Sequence, residues 1–325
     1  MPMAASPSGD RVMQEAAASL ATLAVDSRCA LGESILWCER RSTLFWTDID
    51  AARLWMHVPG NGSTRHWTLP ERLGSLALCE NGGLLLGLAK GLYWVDIDAA
   101  INATTTTTLS LQRLQEVEPG SSETRINDGR SDRHGNFVFG TKSERADKAP
   151  VGSFYQYSAE HGLRRLDLPG VSIPNSICFS IDGRTLYYCD SLQPRISCCD
   201  YDPHTAAVSN SRVFVDLDHP QASPDGSIVD AEGHLWNAQW GASQVVRYRP
   251  DGQTDRIVAV PVTQPSCCTI GGEDLDQLYI TSARAELGEA TLAWMPTSGG
   301  VFQLALPRAL GLRESRVAVD AGHTA

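Results

Sequence analysis

Short apolar runs alternate along most of the chain with clusters of Asp, Gly and Asn, and helical spacing of apolar residues is absent outside the first residues. One unit recurs: a short apolar strand, a turn rich in Asp, Gly and Asn, and a second β-rich strand. Six copies are present. They run from Ser34-Ile35-Leu36-Trp37 to Leu44-Phe45-Trp46-Thr47-Asp48, from Leu76-Ala77-Leu78 to Leu84-Leu85-Leu86, and from Arg130-Ser131-Asp132 to Phe137-Val138-Phe139-Gly140. The later three run from Ile177-Cys178-Phe179 to Leu186-Tyr187-Tyr188-Cys189-Asp190, from Ile228-Val229-Asp230 to Leu235-Trp236-Asn237-Ala238, and from Cys268-Thr269-Ile270 to Leu278-Tyr279-Ile280-Thr281. Asn81-Gly82-Gly83, His134-Gly135-Asn136, Asp182-Gly183 and Glu232-Gly233 supply hairpin turns between the paired strands.

A repeat of roughly 40 to 50 residues is the length of one four-stranded propeller blade. Two stacked β-sandwich domains would account for the β content but not for the sixfold period. The expected fold is therefore all-β: one six-bladed β-propeller over residues 24–310. A tail at 1–23, with one short helix over Val12–Leu23, precedes it, and a second tail at 311–325 follows.

Composition narrows the partners. The chain has 325 residues, 42% hydrophobic and 20% charged, with a net charge of −11. Apolar runs such as Leu84–Leu88 fall far short of the roughly 20 residues a membrane helix needs, so no membrane partner is expected. No Lys/Arg-rich stretch is present to neutralise phosphates, which argues against nucleic acid. Nine cysteines, four of them in the adjacent pairs Cys198-Cys199 and Cys267-Cys268, form neither a CxxC array nor an evenly spaced disulfide framework. A cytoplasmic protein is the expectation.

Repeated offsets within the unit become spatial clusters in a propeller, because every blade presents its first strand to the central channel. Glu33 stands 11 residues before Leu44, and Asn175 stands 11 before Leu186; Asp225 is 10 before Leu235, and Asn127 is 10 before Phe137. Four blades thus set a carboxylate or an amide at one mouth of the channel, with Arg125 two residues from Asn127. The other two blades carry Gly74 or Ser75, and Ser266. Several oxygen donors round a narrow axis suit a divalent cation. Any single Asn-Asp-Gly or Pro-Asp-Gly is an ordinary turn; the coincidence of four offsets is what points to a metal or ligand cluster.

At these residues the chain resembles the regucalcin and gluconolactonase-like sugar lactonases, over about residues 29 to 305. The likeness rests on Leu31-Gly32-Glu33-Ser34, Arg125-Ile126-Asn127-Asp128-Gly129-Arg130, Asp132-Arg133-His134-Gly135-Asn136, Gly140-Thr141, Pro174-Asn175-Ser176, Tyr187-Tyr188-Cys189-Asp190-Ser191 and Pro224-Asp225-Gly226. The resemblance implies a metal-dependent hydrolase that opens sugar aldono-lactones, with a small sugar lactone as its partner. It implies that Glu33, Asn175 and Asp225 bind one divalent cation, with Ca, Zn, Mg, Mn and Fe(II) all compatible, and that Arg125 and Asn127 hold the lactone. Glu144 is the candidate acidic contact to substrate, and Asp225 the candidate acceptor of the water proton. The chain departs from the family in having Ser34-Ile35 after the first glutamate and Lys142 after Gly140-Thr141. A propeller esterase acting on a non-sugar substrate and a non-enzymatic calcium-binding propeller are the rival readings.

Other chemistries lack their motifs: the chain has no GxSxG elbow and no HExxH pair. His134 and His234 are expected to be solvent-exposed in turns, and Cys267-Cys268 to be buried. Trp240 is the tryptophan placed to stack on a sugar, although packing between blades is the commoner use of such a ring.

Overall fold

The computed structural model describes residues 20–103, 105 and 107–319. Six four-stranded antiparallel sheets are arranged in a ring as a six-bladed propeller, as the repeat predicts. The innermost strands are Gly32–Cys38, Leu73–Leu78, Thr124–Ser131, Pro174–Phe179, Ser223–Val229 and Pro265–Gly271, which number the blades one to six. Every innermost strand is almost wholly buried, and the outermost strands Ser63–Thr68 and Val208–Asp216 are largely exposed.

The repeat is a unit that cannot bury both of its faces alone. Six apolar clusters lie between successive blades. One joins blades one and two through Phe45, Trp67, Leu76 and Leu86, and another joins blades five and six through Trp236, Val245, Leu278 and Phe302. The cluster that closes the ring joins blade six to blade one through Tyr279, Val301, Trp37 and Trp46. Closure is also made by hydrogen bonds. Strand Thr22–Val25 is the outer strand of blade six, where it pairs with Val301–Ala305.

That strand corrects the expected helix. Leu20 bridges Ala259 and Thr22–Val25 is extended, so residues 20–23 are not helical; Val12–Ser19 lie outside the described residues. The Leu23–Phe302 register sets Leu23 opposite a core ring, and sheet pairing outweighs local helix preference. The segment after residue 310 also belongs to the body. Val317 bridges Cys79, Arg316 pairs with Glu39, and Glu314 pairs with Arg130 at 2.5 Å. The nine cysteines are all buried and free. No described helix is long and apolar enough to cross a membrane.

Candidate metal centre and active-site cavity

Each innermost strand breaks register once near its start. The irregularities fall between Glu33 and Leu36, Leu73 and Ser75, Ile126 and Gly129, Asn175 and Cys178, Pro224 and Ser227, and Pro265 and Cys268. A bulge lets residues leave the ladder and re-aims their side chains. Glu33, Asn127, Asn175 and Asp225 stand at or inside four of these bulges, which is why offsets of 10 or 11 residues in sequence become one cluster in space. Ser34 and Ser176, the residues after Glu33 and Asn175, take left-handed φ values of 50° and 60°. Ser176 Oγ donates to the Asp225 carbonyl at 2.7 Å and so ties blade four to blade five at this point.

A cavity of about 430 Å³ opens at this mouth, and Glu33, Arg125, Asn127, Glu144, Asn175 and Asp225 all line it. The structure thus brings together all six residues given a metal, substrate or catalytic role from the sequence. A second tier surrounds them. Leu31, Arg72, Arg125, Ile173 and Ser223 also line the cavity, and each stands two residues before a bulge position of its blade. A larger surface depression, lined by His134, Asp182, Arg184 and His204, lies away from this cluster.

Glu33 and Asp225 come from blades one and five and bring their carboxyls together in the cavity. Burial raises both carboxyls. Glu33 is pushed up to about 8, by desolvation first and then by the charge of Asp128. Asp225 is raised well above the usual carboxylate range by desolvation and by the charges of Glu33 and Asp128. Asp128, pushed up to about 6 by burial, accepts from the Ile177 backbone at 2.8 Å. Sequence reasoning passed over Asp128, although it occupies the same bulge as Asn127.

Asn175 completes the group. Its Nδ2 donates to Ser191 Oγ at 2.8 Å, and its Oδ1 accepts from Asn127 Nδ2 at 3.2 Å, leaving a second lone pair. No three His, Cys, Asp or Glu side chains among the described residues cluster to hold an ion; a third donor here is an amide oxygen. Two buried carboxyls in contact, with no cationic side chain hydrogen-bonded to either, form an oxygen donor set that fits a hard divalent cation.

The opposite wall is cationic. Arg125 is 3% exposed; its Nη1 donates to Asn127 Oδ1 at 2.8 Å and to the Ile126 carbonyl at 2.8 Å. Its Nε lies 3.4 Å from Glu144 Oε1 but makes no hydrogen bond. Desolvation and the charge of Arg72 bring Arg125 down to about 10. Glu144 is also paired with Arg72. Burial raises its carboxyl, but the Arg72 hydrogen bond and the charges of Arg125 and Arg72 outweigh that and hold it below its ordinary value. Arg72 was missed in the sequence, yet it precedes Gly74 by the same two residues that separate Arg125 from Asn127.

Two expectations change in detail. Both Nδ2 hydrogens of Asn127 are spent on Pro174 O and Asn175 Oδ1, so Asn127 braces Arg125 and Asn175 rather than offering a free donor. His234 is only 17% exposed at its side chain, whereas His134 is exposed and stacks edge-on with His204. Trp240 does line the cavity, while Trp37, Trp46 and Trp236 are core.

Known proteins place this arrangement in context. Residues 31–284 match the model of the SMP-30/gluconolactonase/LRE-like region. The chain is 46% identical over 304 residues to an L-arabinolactonase of Azospirillum brasilense, covering 93% of this chain and 96% of that one. It is 33% identical to a 6-deoxy-6-sulfogluconolactonase of Pseudomonas putida, covering 84% of this chain and 90% of that one. Among solved structures, a calcium-binding regucalcin of Agrobacterium tumefaciens superposes with a TM-score of 0.80 at 30% identity, over 90% of this chain and 96% of that one.

Proposed function

Because the chain belongs to the SMP-30/gluconolactonase/LRE-like family, we propose that it is a carboxylic-ester hydrolase that opens sugar aldono-lactones, pentono- or hexono-lactones, to the aldonic acids. The observation that carries this reading is the meeting of Glu33, Asn175 and Asp225 in the same cavity as Arg125 and Glu144. Relatives named as an L-arabinolactonase and a sulfogluconolactonase support it.

Glu33, Asn175 and Asp225 would hold one divalent cation. Such an ion supplies Lewis-acid polarisation and lowers the pKa of bound water. The side chains do the rest. Asp225 accepts the proton of the attacking water. Arg125, with its free Nε, donates to the lactone carbonyl or a hydroxyl, and Glu144 accepts from a sugar hydroxyl; together they fix the ring at attack distance. Asn127 keeps Arg125 and Asn175 in place. Trp240 offers a flat apolar face on the wall of the cavity.

The test is a pH-stat assay of the purified protein against a panel of aldonolactones that includes arabinono-lactone, repeated after chelation and after return of single ions. Turnover that vanishes on chelation and comes back with a divalent ion is the expected result. A folded, ion-supplied protein inert to every lactone in the panel overturns the reading.

A further inference from the structure

The strand Phe137–Ser143 continues past its end so that Lys142 and Glu144 fall on one face, and both line the cavity, while Thr141 and Ser143 are buried on the other face. Glu144 is held by Arg72 and Arg125. Lys142 is different: it makes no hydrogen bond or ion pair with any described residue, and the charges of Glu144 and Asp225 reach it only from beyond contact distance. Its direct cross-strand partner is Arg125, so two cations sit side by side in a largely buried wall. Like charges in that relation cost stability, as does an ammonium without an acceptor. A straight apolar side chain would fill the same space more cheaply. The position therefore holds a donor that the protein itself does not use.

Lactone opening needs such a donor. When the carbonyl–oxygen bond breaks, the departing ring oxygen is an alkoxide, a poor leaving group unless it is protonated. Arg72 is engaged with Glu144, and Arg125 spends Nη1 on Asn127 and a backbone carbonyl and has its remaining Nε assigned to the lactone carbonyl or a hydroxyl. Ser191 Oγ donates to the Pro224 carbonyl at 2.7 Å. Lys148 is exposed at the rim. From this geometry we infer that Lys142 is a further catalytic residue, its ammonium donating a proton to the ring oxygen as it leaves. The inference rests on the lactonase reading above.

The step balances. Water adds to the carbonyl carbon and gives one proton to Asp225. The bond from that carbon to the ring oxygen breaks, its electron pair stays on the oxygen, and Lys142 protonates it. The product acid ionises, and the protons released restore Lys142 and leave one for solvent. Burial, with Arg125 and Lys148 close by, lowers the ammonium to about 8, which suits proton transfer near neutrality.

Lys142→Met and Lys142→Ala, assayed by kcat and KM together with thermal melting, decide the matter. In Lys142→Met, kcat on an aldonolactone should fall about a hundredfold with KM within about threefold, while the melting temperature holds or rises as the repulsion from Arg125 disappears. Ethylammonium added to Lys142→Ala should recover about tenfold or more of the lost rate. A kcat within about threefold of the unmutated protein, a loss carried by KM alone, or no response to ethylammonium overturns the assignment. Failure of the unmutated protein to open any lactone sinks the lactonase reading itself, and this step with it.

Discussion

Asp225 and Asp230 are five residues apart, at opposite ends of the innermost strand of blade five, and both are buried. Asp230 is saturated. Its Oδ1 accepts from the backbone of Glu232 at 2.9 Å and of His234 at 3.0 Å, and its Oδ2 from Trp236 Nε1 and Arg247 Nε, each at 2.8 Å. Asp132 repeats this in blade three with His134, Asn136 and Tyr201. In both hairpins the tight loop around the carboxylate closes through a glycine at positive φ, Gly135 at 86° and Gly233 at 79°. Asp225 instead faces Glu33, with Asp128 near, and burial raises all three. One end of the channel satisfies its buried acids with protein donors and is structural. The other gathers acids with no cationic side chain hydrogen-bonded to Glu33 or Asp225, on which Arg125 and Lys142 act only at longer range, and that leaves room for a cation from outside the chain.

The sharpest way to break this contrast is to delete both aspartates. Asp225→Ala should lower kcat on the best lactone by about 10³-fold with no loss of melting temperature when both proteins are melted in chelator, because it removes a group that repels its neighbours. Asp225→Asn keeps an oxygen donor but not the proton acceptor, and full activity in that variant removes the base role. Asp230→Ala should do the reverse. It leaves Trp236 Nε1, Arg247 Nε and two hairpin backbone amides without their acceptor, although Arg247 keeps Glu232 and Asp255, and should cost about 3–5 kcal/mol in denaturant unfolding, with turnover per folded molecule unchanged. A stable Asp230→Ala would erase the distinction.

Ion linkage sharpens it further. A divalent ion at about 100 times its Kd should stabilise the unmutated protein by about 2.7 kcal/mol and should not stabilise Asp225→Ala. In chelated protein the sign of the pH dependence follows from Glu33, whose carboxyl sits at about 8 instead of 4.5 because burial disfavours its charge. Between those values the unfolded chain holds fewer protons than the native one, so stability falls as pH rises. Melting curves of chelated protein should therefore shift downward from about pH 5 to about pH 8, and added ion should cancel the shift. The smallest effect belongs to the rim. Glu144→Gln should raise KM about tenfold and leave kcat nearly unchanged, since it loses a charged hydrogen bond to substrate rather than a proton-transfer group.

Much of the site was legible in the chain because a propeller turns periodicity into position. Glu33, Asn127, Asn175 and Asp225 stand 10 or 11 residues before the second strand, and that spacing marks the bulge of their blades. Arg72 could have been found by extending the same rule two residues back; it was overlooked because blade two has only Gly74 at the bulge itself. Asp128 hid within an ordinary turn motif. The residues 20–23 were misjudged as helix for a different reason. Their partner, Val301–Ala305, lies almost the whole chain away, and no local pattern registers a pairing of that span.

Hydrophobic period and turn chemistry alone determined six strand pairs, their spacing and the channel-facing offsets, since each is a local property of the chain. Only the closed ring decided the rest. It set acids from blades one and five in contact, spent both hydrogens of Asn127 on blade four, and stood Lys142 beside Arg125 with no acceptor. Charge, solvation and hydrogen-bond saturation depend on which distant groups share a volume, and that is fixed by packing rather than by order along the chain.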